Sequence, residues 1–487
     1  MLSILLILPL LIGVLLPIVS TDGAQIRKIA LAAPLIQLMF SLWFYKNLPD
    51  SIDLSWIPQI GLKFELGLDG ISLPVVLLTA LLTCLSIVAT PADQSRPRLF
   101  FPLVLSVNLG LVTAFLAQNG LLFVLAYELI LIPTTLLVAI WGDKERAGAA
   151  TRFLIYGALS GVVLLAVVFS FGWLNPSGLN FSYNSLRDLN LSSGQQRWLL
   201  GGVLLAFGLK LPVFPLHGWQ PRTYSQSPIP VVMLLSGAVS KMGAYGLIRF
   251  GLEFLPDGWL FWSGWIAALG AFSAIYGALN AIAQTDIRKL VSYSSLGHMG
   301  LLVLALAAAT PLSLQGVVVQ MLAHGLIIAL LFYLVGLIEI KTKSRNISEL
   351  SGLLNPQRGL PFTASLLLIG LMAAAGVPGL AGFVAELLIF EGSWTRFPWP
   401  TLFCLIASGL TAVYAVRLFN RVCFGRLDQS KAKWPSTSWR ERIPAVILSL
   451  LVIVTGIWPS ILTGFSESET SVIAKTQFQL LQPELKP

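Results

Sequence analysis

Apolar runs recur along the whole of this 487-residue chain, each close to the roughly 20 residues a helix needs to cross the hydrocarbon core of a bilayer. Fourteen such runs are read, with cores starting at Leu2, Ile29, Ile71, Leu99, Asn119, Phe153, Leu199, Ile229, Trp259, Leu290, Leu314, Pro361, Thr401 and Ile443. Only 11% of residues are charged and 56% are hydrophobic, whereas soluble domains carry roughly 25% charged residues. The expected fold class is therefore an all-α polytopic membrane protein. The first run has no basic segment before it and no small-residue cleavage site after Ser20, so it is expected to be retained as a span. Cys84, Cys404 and Cys423 are scattered without C-x-x-C spacing and offer no disulfide, zinc or iron–sulfur framework.

The net charge of +9 is informative only when read loop by loop. On the fourteen-span reading, twenty of the 31 Lys and Arg residues fall on the side reached after the first span and seven on the other. The basic side is cytoplasmic by the positive-inside rule, so both termini are expected on the opposite side. Lys210, Lys241, Arg249 and Arg417 lie within spans. Two longer polar loops, Tyr45 to Asp69 and Asn175 to Arg197, are too short for soluble domains, and the basic stretch Gly425 to Arg442 is expected to be solvated. No glycine-rich phosphate loop is present, and no nucleic-acid partner is expected.

Two spans are interrupted by Pro and Gly beside an ionisable residue. The seventh reads Gly208-Leu209-Lys210-Leu211-Pro212-Val213-Phe214-Pro215, and the twelfth runs from Gly376-Val377-Pro378-Gly379 to Glu386. Broken helices survive in a membrane only where they face protein or a water-filled cavity, and a pair of them in two halves of a chain points to a transport path. The breaks are five spans apart, and an odd offset inverts the second copy. The expected division is residues 1–98 for spans one to three, 99–254 for a first five-helix repeat, 255–424 for a second, inverted repeat, and 425–487 for span fourteen and the tail.

Charges at bilayer depth are costly and functional by default. Glu128, Lys210, Lys241, His298, His324 and Glu386 each lie near the middle of a different span, so they are expected to converge inward. A buried lysine beside a carboxylate holds its proton, and loses that support without it. Such pairs titrate together, and histidine can accept on one ring nitrogen while donating from the other. The set reads as a proton path. The competing reading is structural hydrogen bonding between helices, strongest for His298 with Ser292, Ser294 and Ser295 nearby. His217, beside Trp219 at the end of the seventh span, has an interfacial alternative, and Arg249 and Arg417 are expected to snorkel to the interface. No metal-ligand spacing and no nucleophile–base pair is visible in the sequence.

Five segments together resemble the antiporter-like subunits of respiratory complex I and its photosynthetic relatives, shared with multi-subunit cation/proton antiporters. They are Tyr127-Glu128 to Pro133, Lys210 to Trp219, Ser240-Lys241 to Gly246, Ser292 to Gly300, and Gly379 to Glu386. Glutamate at 386 resembles the chain-4 branch of the cyanobacterial and chloroplast complex. Trp141-Gly142, Leu68-Asp69-Gly70, Glu391 to Pro398 and Asn420 to Gly425 are similar to the cyanobacterial branch, the last two to its carbon dioxide uptake variants. Where the family usually reads Trp-Leu-Pro-Asp-Ala-His followed by an acid, this chain reads Trp219-Gln220-Pro221-Arg222-Thr223-Tyr224-Ser225-Gln226, placing a cation at the cytoplasmic mouth.

The resemblance implies a proton-translocating subunit of a ferredoxin- or NAD(P)H-dependent plastoquinone reductase, a translocase without a redox centre in this chain. It implies that Glu128 and Lys241 exchange through Lys210 and that His324 bridges to Glu386. Plastoquinone, iron–sulfur clusters and the electron donor are expected in other subunits, with a distal chain-5-type subunit and lipids as neighbours and a thylakoid membrane as location, termini lumenal. A sodium/proton antiporter subunit and a non-pumping scaffold are the alternatives.

Overall fold

The computed structural model describes residues 2–19, 22–176, 178–356, 359–425 and 434–481. Arg358, Arg426, Lys431, Lys433 and Lys486, counted above among the loop charges, lie outside the described residues, as do residues 426–433 of the basic stretch after Gly425. Ten helices among the described residues are long and apolar enough to cross a membrane. The other four expected spans fall on Leu2–Val19, Ser193–Lys210, the pair Pro361–Ala374 and Ala381–Trp394, and Trp439–Ile457.

Both breaks stand where Pro and Gly place them. The helix Ser193–Lys210 stops at Lys210 and resumes as Gln220–Gln226, because Pro212 and Pro215 lack N–H donors for a helical ladder. The second break joins Ala374 to Ala381 through Gly376 and Gly379, whose φ angles of 67° and 88° are left-handed.

Two buried helices form the middle of the molecule. Pro311–Thr342 is buried at every position from Gly316 to Ile338, and Ile229–Glu253 is buried along its whole apolar window. They cross where glycine faces glycine: a Cβ on Gly325 would meet the Gly237 carbonyl at 2.9 Å, and one on Gly237 would meet the Gly325 carbonyl at 3.2 Å. Small residues at such a crossing let backbones approach closely, which brings the neighbouring Lys241 and His324 within reach of each other. Peripheral helices such as Arg146–Leu174 and Pro398–Cys423 turn Val162, Phe169, Trp173 and Val416 outward, as a surface solvated by acyl chains requires.

Four features were not anticipated. The loop after Phe44 contains an antiparallel hairpin, Ile52–Ile57 with Leu62–Leu66, turning at Gly61 and tied to the end of Pro97–Leu116 by Gly67 N–H to Leu116 O at 2.8 Å. The loop after Leu174 holds a short helix, Tyr183–Arg187, and a helix Glu467–Leu481 follows the last expected span. Within Ile229–Glu253, the segments Leu235–Val239 and Leu247–Glu253 are wound as π-helix. Arg249 corrects an expectation: it is 2% exposed and does not snorkel, being held by Asp69 and by Glu253 at 2.6 Å. Arg417 is exposed and donates to Ile282 O at 2.6 Å.

Candidate functional site

Lys241 follows the first π-helical segment and is fully buried. Its Nζ donates to Ser236 O at 2.7 Å and to Ser240 Oγ at 3.3 Å, and it lies 2.7 Å from His324 Nδ1. With an ammonium donating to Nδ1, the imidazole carries its own proton on Nε2. That Nε2 is buried and has no hydrogen-bond partner among the described residues. It belongs to a ring whose centroid is 5.6 Å from that of His298.

His298 is the bridge to the second break. Its Nδ1 faces Ser294 O at 2.8 Å, and its Nε2 faces Ala374 O at 2.9 Å and Glu386 Oε1 at 3.8 Å. Ala374 ends the helix Pro361–Ala374, so the break supplies a carbonyl that a continuous helix would keep for itself. Donation from both ring nitrogens at once is open only to the imidazolium. Glu386 Oε2 accepts from Ser408 Oγ at 2.6 Å, and Tyr414 donates to Ser294 Oγ at 2.7 Å. A cavity of about 10 Å³ lies among His298, Ser408 and Tyr414, about the space that admits one water.

On the other side of Lys241, the backbone at Leu211 packs against Gly243, so Lys210 and Lys241 stand on adjoining turns of neighbouring helices. Lys210 is buried in the last turn of its helix, where the helix dipole favours a cation. Its Nζ sits 4.5 Å from the Tyr127 ring centroid and 5.8 Å from that of Phe153. A second cavity of about 10 Å³ touches Lys210, Tyr156, Ser160 and Trp219. Tyr127 bonds Ser160, whose hydroxyl donates to Ala206 O at 2.7 Å. Glu128 is half-buried, its Oε1 has no hydrogen-bond partner among the described residues, and it occupies the space over Gly161.

Lys241, His324, His298 and Glu386 thus form one row, with Lys210 and Glu128 continuing it through gaps. Two expectations are corrected. His324 contacts Lys241 and does not bridge to Glu386; His298, read as the weaker member, stands between them. His217 does not join the row: its ring neighbours are Phe214 and Tyr276, at 5.6 and 5.0 Å. Gly161 and Gly376, which make room for the two carboxylates, and Ser408 and Tyr414 were missed. The glycines were visible in the sequence, but their purpose depends on which side chain crosses over them.

The end of the molecule that carries Arg222 holds a charge network that sequence reading also missed. Buried Arg288 reaches Asp143 at 3.2 Å and Glu339 at 2.6 Å, and Arg345 joins Asp143 at 3.3 Å and Asp286 at 2.9 Å. Gln226 accepts there from the Glu145 N–H at 3.1 Å, while Arg222 is exposed.

A mostly helical membrane chain with ionisable side chains strung between two broken helices has the architecture of an antiporter-like subunit. The family described as "NADH:quinone oxidoreductase/Mrp antiporter, TM" matches residues 117–411, a range that holds all six residues of the row. The chain belongs to this family, as an antiporter-like membrane subunit of the NAD(P)H-quinone oxidoreductase and complex I type. It is 34% identical over 482 residues to NAD(P)H-quinone oxidoreductase chain 4 of Synechococcus sp. (strain WH7803), covering 95% of this chain and 87% of that one. It is 35% identical over 488 residues to NAD(P)H-quinone oxidoreductase chain 4 1 of Synechococcus elongatus, covering 96% and 90%. Among solved structures, a chain of respiratory complex I from Thermus thermophilus with bound NADH superposes with a TM-score of 0.89 at 26% identity, covering 98% of this chain and 99% of that one.

Proposed function

We propose that this chain moves protons across the membrane, driven by electron transfer from ferredoxin or NAD(P)H to plastoquinone in other subunits of its complex. The observation that carries the reading is the 2.7 Å contact between Lys241 Nζ and His324 Nδ1, which joins the side of the first break to the side of the second. Residues 99–254 and 255–424 then act as two half-paths, with Lys241 at the junction. Lys241 gives a proton to His324 Nδ1 while the Nε2 proton leaves towards His298, and His298 passes a proton to Glu386. Each imidazole ends neutral, and the row resets once the His324 proton returns from Nδ1 to Nε2 and Lys241 is reprotonated from the side of Lys210. Glu128 and Lys210 set the charge that holds or releases the Lys241 proton, because each charged group biases its neighbour.

The proposal extends to a thylakoid membrane with lumenal termini, a distal chain-5-type neighbour, and a complex serving carbon dioxide uptake or cyclic electron flow. Plastoquinone and iron–sulfur chemistry belong to those other subunits. Exposed Arg222 repels protons at the cytoplasmic mouth, so uptake there is expected to depend more strongly on ionic strength than in a relative with an acid at that site.

The test is proton movement by the assembled complex in vesicles with Glu128→Gln and Lys241→Ala. Pumping should fall in both relative to quinone reduction. Wild-type pumping in both variants would make the chain a scaffold, and sodium-driven proton exchange by the chain without redox subunits would make it an antiporter.

A further inference from the structure

Lys241 begins a second polar face that the row to Glu386 does not use. Tyr245, Arg249 and Glu253 follow it at four-residue spacing on the same helix, so they share one face and descend towards the basic-poor side. The α-helical rise from Lys241 to Tyr245 is about 6 Å, and Arg249 and Glu253 beyond it are in direct contact. The Tyr245 hydroxyl donates to Phe115 O at 3.0 Å, and Arg249 lies over its ring.

At the foot of this face is a polar cavity of about 410 Å³, lined by Glu65, Asp69, Tyr183, Arg187 and Glu469 among others. It has space for on the order of ten waters. Tyr183 is among the residues lining this cavity, and its hydroxyl is buried behind that lining with no hydrogen-bond partner among the described residues. It faces Tyr245, Arg249, Glu253 and Arg187. Arg187, Glu253, Arg249 and Asp69 form an alternating ladder: Arg187 to Glu253 at 2.6 Å, Glu253 to Arg249 at 2.6 Å, and Arg249 to Asp69. Its two cations and two carboxylates balance. Asp53 and Glu65 also line the cavity and share Lys63, whereas Glu469, from the helix Glu467–Leu481 that lies outside the apolar spans, faces the same cavity and makes none of these ion pairs.

We infer that this cavity is a second proton outlet, through which Lys241 discharges by way of Tyr245, Tyr183 and the cavity water to Glu469, independently of His324 and Glu386. In the step, a water between Lys241 and Tyr245 takes the ammonium proton, Tyr245 accepts one proton and releases its own towards Tyr183 and the cavity, and Glu469 receives and then sheds a proton to bulk water. Tyr245, Tyr183 and Glu469 return to their starting forms, and Lys241 is left as a neutral amine to be reprotonated from the side of Lys210. Burial, followed by the nearby Asp69 carboxylate, holds Glu469 above the usual carboxylate range against the opposing pull of Arg249 and Arg187. Glu253 adds to the upward push. A carboxyl in that condition accepts protons from a neutral vestibule more readily than a free one.

The inference rests on Lys241 being the junction of the path. Assembled complex in vesicles is assayed for protons moved per electron, with Tyr245→Phe, Glu469→Gln and Glu469→Asp beside Lys241→Met. Tyr245→Phe and Glu469→Gln should lose part of the wild-type ratio, Glu469→Asp should recover it, and Glu469→Gln should flatten the dependence of the ratio on pH at the basic-poor face. A purely structural role for Glu469 would leave that pH dependence in place. Wild-type ratios in Tyr245→Phe and Glu469→Gln, with Lys241→Met inactive, would overturn the outlet and leave the central path standing. A wild-type ratio in Lys241→Met would overturn both.

Discussion

Replacing Gly161 by alanine tests whether Glu128 acts from the position it occupies. A Cβ at residue 161 would lie 1.3 Å from Glu128 Oε1 and 2.4 Å from its Cδ, whereas ordinary contact begins at 3.4 Å. The carboxylate oxygen must therefore retreat by about 2 Å, the difference between 3.4 and 1.3 Å. Overfilling a packed site costs about 1–3 kcal/mol, and the lower end applies because the moving part is the free end of a half-buried side chain. The electrical effect is of similar size. At an effective dielectric of about 20, the coupling of two unit charges weakens by about 1 kcal/mol when they move from about 5 to about 7 Å apart. That is about fivefold in an equilibrium constant, enough to change how firmly Lys210 and Lys241 hold protons. Gly161→Ala should assemble, lose a few degrees of thermal stability and pump at a reduced ratio of protons to electrons, resembling Glu128→Gln. In the double variant with Glu128→Ala the clash vanishes, so the stability penalty of Gly161→Ala should disappear with a coupling of about 1 kcal/mol. A Gly161→Ala complex with wild-type pumping and no such coupling would refute the placement of Glu128.

Lys241→Met replaces a buried, hydrogen-bonded cation by an apolar side chain of similar length, so it should abolish pumping with little loss of thermal stability. His324→Leu removes one acceptor from an ammonium that stays buried, so its melting temperature should fall further, by the equivalent of about 1.5–3 kcal/mol; the reverse order would contradict a charged Lys241. Gly376→Ala should be the more damaging glycine change, since it combines a left-handed φ of 67° with a Cβ 2.4 Å from Glu386 Oε2; thermal unfolding and proton flux of the assembled complex measure it. Hydrogen exchange of helix Glu467–Leu481 should vary with pH in two limbs. Burial opposes ionisation of Asp69, but Arg249 and the Ser72 and Ile71 N–H groups outweigh it and hold the group below its usual 3.8, so its stabilisation is present above 3.8 and lost as pH falls through the depressed value. Glu469, held above 4.5, adds a penalty that is absent below 4.5 and grows as pH rises through its elevated value, so Glu469→Gln should slow exchange at neutral pH.

The sequence made the breaks and the row members legible because both are chemically rare in lipid. Pro212, Pro215, Pro378 and Gly379 stop helices whatever surrounds them, and a charge such as Lys241 has no cheap place in a bilayer except the interior. Which residue touches which was not legible. His298 and His324 lie on neighbouring helices with no local signal of order, and the order is set by where Gly237 meets Gly325 and by where the broken helix leaves the Ala374 carbonyl. The hairpin at Ile52–Leu66 was read as a plain loop because its strands are short and the first, Ile52–Ile57, is mostly exposed, giving no clean alternation of apolar and polar residues. Arg249 was misplaced for a related reason: its partner Asp69 is 180 residues away, and only the fold brings them together.

The row is not continuous, and its gaps have a consequence for direction. Lys241 and His324 are in contact, as are His298 and Ala374 O, but His324 Nε2 meets nothing among the described residues and Glu128 Oε1 meets nothing either. Near each end of the row, beside Lys210 and beside His298, sits a cavity sized for about one water. A wire of permanent hydrogen bonds would short-circuit the gradient the proposed pump builds, whereas this row is broken at His324 Nε2 and Glu128 Oε1, and its two cavities lie beside Lys210 and His298. Charge on Lys210 and His298 governs whether a water is held there, since a buried ammonium or imidazolium binds water more strongly than its neutral form. In the proposed pump, redox-driven charge movement at one end of the complex fills one cavity while the other stays dry, a valve made of the same side chains that would carry the proton.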